Sequence, residues 1–269
     1  MFDFVLFSGI IAVLLLASIA MRYSLLSAGG IIAAILIGMT IFTFGGWNWF
    51  LILTLFFIVA SFFSKFAKKQ KEEVNREFMK GGIRDFWQVA ANGALGALLA
   101  VLYHFYPFNT LYYAFLGVVA TVTADTLATE IGTLSKKAYL LTTGKEVMRG
   151  VSGAVSPLGL LVSLLSSFIV GIGAYFLSVS LNIPSDFFRM TLITTVAGFL
   201  GALSDSFFGA TIQVMHYCKK CRKETEREIH HCGTKTVYLR GNERINNDTV
   251  NLLSSAVGGA IGAVLYILL

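Results

Sequence analysis

NTLYYAFLGVVATVTADTLATEIGTLS, residues 109–135, decides how the chain is read. Its apolar part is long enough to cross a bilayer, for which a helix needs about 20 residues. Yet Asp125 and Glu130 stand near its end, among threonines and small residues. A carboxylate inside a span is costly unless it is paired or hydrated. The two acids therefore ask for a partner charge, and the rest of the chain must supply it.

Similar apolar runs recur along all 269 residues, of which 56% are hydrophobic and only 13% charged. A soluble domain carries about 25% charged residues. A membrane β-barrel would show short alternating segments instead. The expected fold is all-α, a polytopic transmembrane bundle forming one integral membrane domain over 1–269. Eight spans are expected, at roughly 3–21, 26–44, 46–63, 85–105, 109–135, 155–181, 187–215 and 248–269. The first run, MFDFVLFSGIIAVLLLASIA, lacks a basic segment ahead of it, so it reads as a retained helix rather than a cleaved signal.

Eight spans put the three hydrophilic stretches, 64–84, 136–154 and 216–247, on one side. All but one of the 21 Lys and Arg then fall on that side, the exception being Arg189. This asymmetry marks the side as cytoplasmic, with both termini outside. The net charge of +6 is thus loop charge in a membrane protein of prokaryotic plasma-membrane type, and no nucleic-acid partner is expected. The segment 64–84 is dense in mixed charge and helix formers, and is expected to be a cytoplasmic helix near anionic lipid.

Asp125-Thr126 in span five is matched by Asp205-Ser206 in span seven. Arg149-Gly150 and Arg240-Gly241 follow in the loops after each, and a further span follows each loop. A parallel duplication of a two-span unit would leave this pattern. At such low identity, chance would leave part of it too. Helix rise places Asp125 ~24 Å and Asp205 ~27 Å from the outer end of their spans, hence toward the cytoplasmic face at similar depth.

Stripes at spacings of three and four agree with this. Gly198, Gly201, Asp205, Gly209 and Gln213 share one helix face, as do Thr121, Asp125 and Thr129, and Asp85, Gln88, Asn92 and Gly96. Helix packing explains the glycines but not the aspartates. Ser156-Pro157 begins span six and Asn246-Asn247-Asp248 begins span eight, both in helix-start chemistry with positive dipole ends. Lys145, Arg149 and Ser152 lie just ahead of the first start, and Arg240 ahead of the second. Acids for a cation, with helix starts and basic groups for phosphates, suit a divalent metal holding a phosphorylated ligand. No GxxxxGK[ST] loop is present in the sequence.

The segment CKKCRKETEREIHHC places Cys218, Cys221 and Cys232 beside His230 and His231. A tetrahedral Zn²⁺ site in a cytoplasmic Cys/His loop spanning 216–247 is expected from Cys218, Cys221, Cys232 and one histidine, with His231 favoured. Three reduced thiols in a flexible loop are the alternative.

RDFWQVAANG, ADTLATEIG, RGVSGAVSPLG, LSDSFFGATIQ, CxxC…HHCG and INNDTVN resemble, in order, the transmembrane protein 19 family, whose plant member is a phytyl-phosphate kinase of vitamin E synthesis. The resemblance implies a kinase that converts an isoprenoid monophosphate lipid to its diphosphate. A nucleoside triphosphate, CTP above others, would be the donor and Mg²⁺ the cofactor. Asp125, Glu130, Arg149, Asp205, Gln213, Asn246, Asn247 and Asp248 match its motifs. On this reading Asp125 and Asp205 hold Mg²⁺, with Glu130 or Asp248 completing the shell. Lys145, Arg149, Ser152, Ser156, Gln213, Arg240, Asn246, Asn247, Gln88 and Asn92 bind nucleotide or acceptor. An ion-coupled transporter, or a lipid cytidylyl or head-group transferase, would use much of the same inventory.

Overall fold

The structure, a computed structural model, describes residues 2–66 and 83–269, with side chains over 5–64 and 83–269. Seven helices among them are long and apolar enough to cross a membrane. They are α1 (Phe2–Arg22), α2 (Ala28–Phe66), α3 (Phe86–Phe105), α4 (Asn109–Gly132), α5 (Pro157–Ser180), α6 (Phe187–Thr211) and α7 (Asn247–Leu268). The expected charged helix at 64–84 falls largely outside the described residues.

Seven helices carry eight spans because α2 is two spans joined at a single residue. At Gly46 the backbone leaves the helix, with φ 75° and ψ −167°, a conformation L side chains rarely adopt. A Cβ on Gly38 would lie 3.7 Å from the Phe50 ring. In a straight helix those residues stand ~18 Å apart along the axis. The chain therefore folds back on itself, and Phe42 meets Phe50 edge to face at 5.9 Å. The break falls where the sequence divided spans two and three.

α4 is the centre of the bundle. It packs against α2, α3, α5, α6 and α7, and its burial runs unbroken from Tyr112 to Ala124. Its apolar residues go all round, as suits a helix surrounded on every side. Glycines set its approach to α6 and α7. A Cβ at Gly201 or Gly258 would meet the Thr121 side chain, and one at Gly117 would meet the Gly258 carbonyl. The small-residue stripe of α6 is thus a packing face as well as the setting of Asp205. Gly117→Ala should cost ~1–3 kcal/mol, the usual penalty of overpacking, because a backbone carbonyl cannot swing away. A melting temperature in detergent equal to the parent's would refute this close contact.

The segments read as loops contain two small sheets. β1 (Ala138–Leu140), β2 (Glu146–Val147) and β3 (Ala154–Val155) lie between α4 and α5. β4 (Met215–Cys218), β5 (Lys223–Thr225) and β6 (Val237–Arg240) lie between α6 and α7. Each is antiparallel with its first strand in the middle, in the orders β2-β1-β3 and β5-β4-β6. The span read as 187–215 ends at Thr211 because Met215 already begins a strand.

The duplication now has structural content: helix, three-stranded sheet, helix, twice. Gly150 (φ 86°) and Gly241 (φ 91°) occupy left-handed positions directly after Arg149 and Arg240. Both sheets sit at one end of the bundle. At the other end Arg189, the exceptional arginine, is tied down locally. Its Nη2 donates to the Tyr266 carbonyl at 2.6 Å and its guanidinium lies 4.3 Å from the Tyr266 ring centroid.

Candidate functional site

Where the sheets meet the helices, the bundle opens into a cavity of ≈ 350 Å³. The last turns of α4 and α6 bring Asp125 and Asp205 to it, so that both carboxylates line one space. Both stand about two turns from the ends of their helices, at equivalent places in the two repeats. Ser254 Oγ of α7 donates to Asp205 Oδ2 at 2.8 Å and fixes that carboxylate. Glu130 lines the same cavity and accepts from Ser64 Oγ at 2.9 Å, so it belongs with Asp125 rather than to a separate site.

Arg149, Ser152, Ser156, Asn246, Asn247, Asp248, Gln88 and Asn92 also line the cavity. Some are already partly engaged. Asp85 and Gln88 form a reciprocal cap on α3, with Gln88 N donating to Asp85 Oδ1 and Asp85 N to Gln88 Oε1. Ser156 is buried and caps α5: its Oγ accepts from Gly159 N and donates to the Gly132 carbonyl, both at 3.0 Å. Pro157 has no N–H, so the α5 start retains little to offer an anion. The α7 start is less closed. Asn246 Oδ1 accepts from Thr249 N at 3.0 Å, and the N–H groups of Asn247 and Asp248 precede that capped position.

Three residues expected in the site lie elsewhere. Lys145 is exposed beside the β1–β2 turn and is not among the cavity's lining residues. Gln213 is buried behind the wall, where it accepts from Ser152 Oγ at 2.7 Å and donates to Glu226 Oε1 at 2.8 Å. Arg240 spends its guanidinium on three carbonyls: Gly209 and Ala210 at 2.9 Å and Ser152 at 3.2 Å. It closes the C-terminal end of α6, where a cation opposes the helix dipole, and ties both sheets to that end. Its repeat counterpart Arg149 instead lines the cavity.

These two arginines should therefore separate in effect. Arg240→Ala should destabilise the fold by ~1–3 kcal/mol, the scale of charged hydrogen bonds lost at a partly buried site, and so lower the melting temperature. Arg149→Ala should leave it near the parent's and weaken phosphate binding. The reverse pattern would refute the division.

Two further residues join the cavity without having been singled out from sequence. Arg84 lines it, with its backbone pinned between α1 and α2 by Arg84 N to Leu25 O at 3.2 Å and Ser27 N to Arg84 O at 3.0 Å. Glu226 reaches the cavity from just beyond β5, held by Gln213. The lining thus carries five carboxylates, Asp125, Glu130, Asp205, Glu226 and Asp248, against two arginines, Arg84 and Arg149. A phosphorylated ligand would meet net negative charge there unless a cation came with it. Carboxylate and amide oxygens are the donors Mg²⁺ takes, so the residues present suit that ion.

The cysteine segment folds around β4 and β5. Cys218 ends β4, and a tight turn follows in which Arg222 N donates to Cys218 O with Arg222 at φ 55°. Ligand atoms of Cys218, Cys221, His230 and Cys232 all lie within 4.8 Å of one another. Cys218 and Cys232 sulfurs are 3.7 Å apart and His230 Nδ1 is 3.2 Å from Cys232 Sγ. Tetrahedral Zn–S bonds of 2.3 Å would set sulfurs about 3.8 Å apart. A disulfide needs about 2.05 Å, so the spacing suits ligands of one metal ion better than a bonded pair.

The histidine in it is His230, not His231. The two histidines enter a tight turn that Gly233 N closes by donating to His230 O at 2.8 Å. Within it His230 is buried with its Nδ1 beside Cys232 Sγ, while His231 is exposed. Hydrogen bonds, chiefly with Thr234 and then His230, bring the Cys232 thiol down to about 5.

The fold and site define a multi-span helical membrane protein with a charged cavity at one end of a bundle in which helix, three-stranded sheet and helix occur twice in order, and a Cys₃His cluster beside it. The chain belongs to the integral membrane protein DUF92 family, whose model matches residues 11–259. It is 29% identical over 262 residues to an uncharacterized membrane protein of Methanocaldococcus jannaschii, covering 97% of this chain and 94% of that relative. Two Arabidopsis thaliana proteins are also similar. Protein PGR is 29% identical over 253 residues, covering 87% of this chain and 86% of the relative. Protein VTE6, chloroplastic, is 28% identical over 246 residues, covering 89% of this chain and 65% of the relative. No solved structure matches the chain.

Proposed function

We propose that the chain is a membrane-embedded kinase that phosphorylates an isoprenoid monophosphate to the diphosphate, with a nucleoside triphosphate, CTP above others, as donor. One observation carries this reading: Asp125 and Asp205, at equivalent places in two repeats, converge on one cavity that also holds Arg84 and Arg149. The family resemblance to phytyl-phosphate kinase supports an isoprenoid acceptor. The almost one-sided placement of Lys and Arg supports a cytoplasmic opening, where nucleotide is found.

The acceptor is already a phosphate, so no strong general base is required. Its oxygen attacks the terminal phosphorus of the donor. The bond from that phosphorus to the bridging oxygen breaks, and the nucleoside diphosphate leaves. Catalysis of this step rests on positioning and charge neutralisation. Arg84 and Arg149, which both line the cavity, bind phosphate oxygens. Asn246, Asn247 and the N-terminal N–H groups of α7 orient one phosphate, and Asn92 another. Asp125 and Asp205 hold Mg²⁺, with Glu130, Glu226 or Asp248 completing its shell. That ion, when bound, offsets charge between donor, acceptor and carboxylates. The Cys₃His module takes Zn²⁺ as a structural ion and presents Glu226 to the cavity through Gln213.

Purified protein incubated with prenyl monophosphates, Mg²⁺ and each triphosphate tests this, read by mass spectrometry. Diphosphate product is expected. No product across a panel of chain lengths and donors would overturn the kinase. Flux of intact ligand into liposomes would favour a carrier, and a cytidylylated lipid a transferase.

A further inference from the structure

The charged cavity has an apolar neighbour. α1, both arms of α2, and α3 enclose a second pocket of ≈ 90 Å³, walled by Ala17, Ala20, Gly38, Phe50, Phe57 and Gly93 among others. Arg84 and Asn92 line both spaces. Arg84 stands at the junction, its backbone fixed to the α1–α2 turn and its guanidinium 5.9 Å from the ring centroid of Phe56, another pocket residue. The pocket extends from there along α3 past Val89 to Gly93, away from the sheet end and into the bundle.

We propose that this second pocket holds the head-proximal section of the acceptor's hydrocarbon tail, with Arg84 and Asn92 gripping the phosphate at the junction. The proposal rests on the kinase reading above. It identifies where the acceptor lies, and hence which of the two phosphates is donor and which acceptor. A water-soluble phosphate would need the charged cavity alone. A pocket lined almost wholly by carbon, joined to that cavity through one arginine and one amide, complements an amphiphile with a phosphate head. The pocket is smaller than a 150 Å³ cavity that accepts benzene. It therefore reads only the first part of the tail, and the remainder continues into lipid. Selectivity should lie in the branching nearest the phosphate, with little dependence on total chain length.

Gly38 keeps the pocket open. A Cβ there would lie 3.5 Å from both methyls of Val13, so a leucine would project into the space. The test uses full-length protein in nanodiscs and farnesyl monophosphate carrying a diazirine on its first isoprene unit. Crosslinks are expected in the α1 and α2 peptides around Ala20, Gly38 and Phe57. They should be lost with excess unmodified farnesyl monophosphate, and lost in both Gly38→Leu and Ala20→Leu variants that keep the parent's melting temperature. Crosslinks that resist competition would mark ordinary bilayer contact and overturn the proposal. Crosslinks confined to other helices would overturn it equally.

Labelling does not require turnover. Competed labelling without diphosphate product would sustain the pocket and retire the kinase. Product without labelling in the pocket would sustain the kinase and retire the pocket.

Discussion

Asp205→Asn should lower diphosphate formation by roughly a thousandfold, the scale of losing one charge-stabilising group in a transition state, while the protein still folds. Asparagine has nearly the shape of aspartate, and its carbonyl oxygen still accepts from Ser254 Oγ. What it loses is the charge offered to a cation. Asp125→Asn should match it, since the two lie at equivalent places in the repeats. Ser254→Ala is the graded control: it leaves the carboxylate but frees it to rotate, and a loss of about 10–100-fold is the usual scale for such supporting contacts. The measurement is kcat/KM by product mass, alongside melting temperature. Full activity in either aspartate variant would remove both from the cation site.

Removing the metal from the cysteine module should be nearly as damaging, although no cysteine lines the cavity. One zinc per chain is expected by metal analysis. Structural zinc supplies apparent binding energy of about 10–16 kcal/mol in small modules, far above what short strands such as β5 could gain alone. Cys218→Ser or His230→Ala should therefore lose the metal and unseat Glu226, which reaches the cavity from the residue after β5. His231→Ala should keep the metal. Equal zinc in the His230 and His231 variants would refute the ligand set. The sign of the pH effect follows from the ligands: thiolates bind zinc, so acid competes. Cys232, brought down to about 5, resists that competition longest. Cys221, pushed up to about 11, first by its hydrogen bond with Cys232, is the ligand whose proton a metal must displace into solvent.

Much of this architecture was visible in the chain because a bilayer is a strict solvent. Length of apolar run and placement of Lys and Arg gave the spans, including a division at 45–46 that the structure realises as a one-residue reversal at Gly46. The aspartates stood out because a buried acid has few structural uses. Other features depend on contacts that no local pattern encodes. Arg84 looked like one loop cation among seven in 64–84, and only its pairing with the α1–α2 turn sets it at the cavity. Arg149 and Arg240 looked alike, and their fates diverge because only Arg240 lies under the end of α6. Strands of two to four residues such as β2 and β3 are too short for periodicity to register. The choice between His230 and His231 turned on a tight turn at 230–233 that buries the first ring beside Cys232 and leaves the second exposed, and adjacent histidines in a sequence carry no sign of such a turn.

The repeat carries a consequence for how such a cavity can be taken apart. Each half supplies one of the two central aspartates, so a single half holds only half a cation site. The two halves are not alike in detail: Arg149 lines the cavity while Arg240 holds the end of α6, and only the second sheet carries cysteines. Leu181–Ser185, the exposed link between the halves, is then a seam. Two polypeptides divided within it should recombine in one membrane into a working enzyme, and neither should work alone.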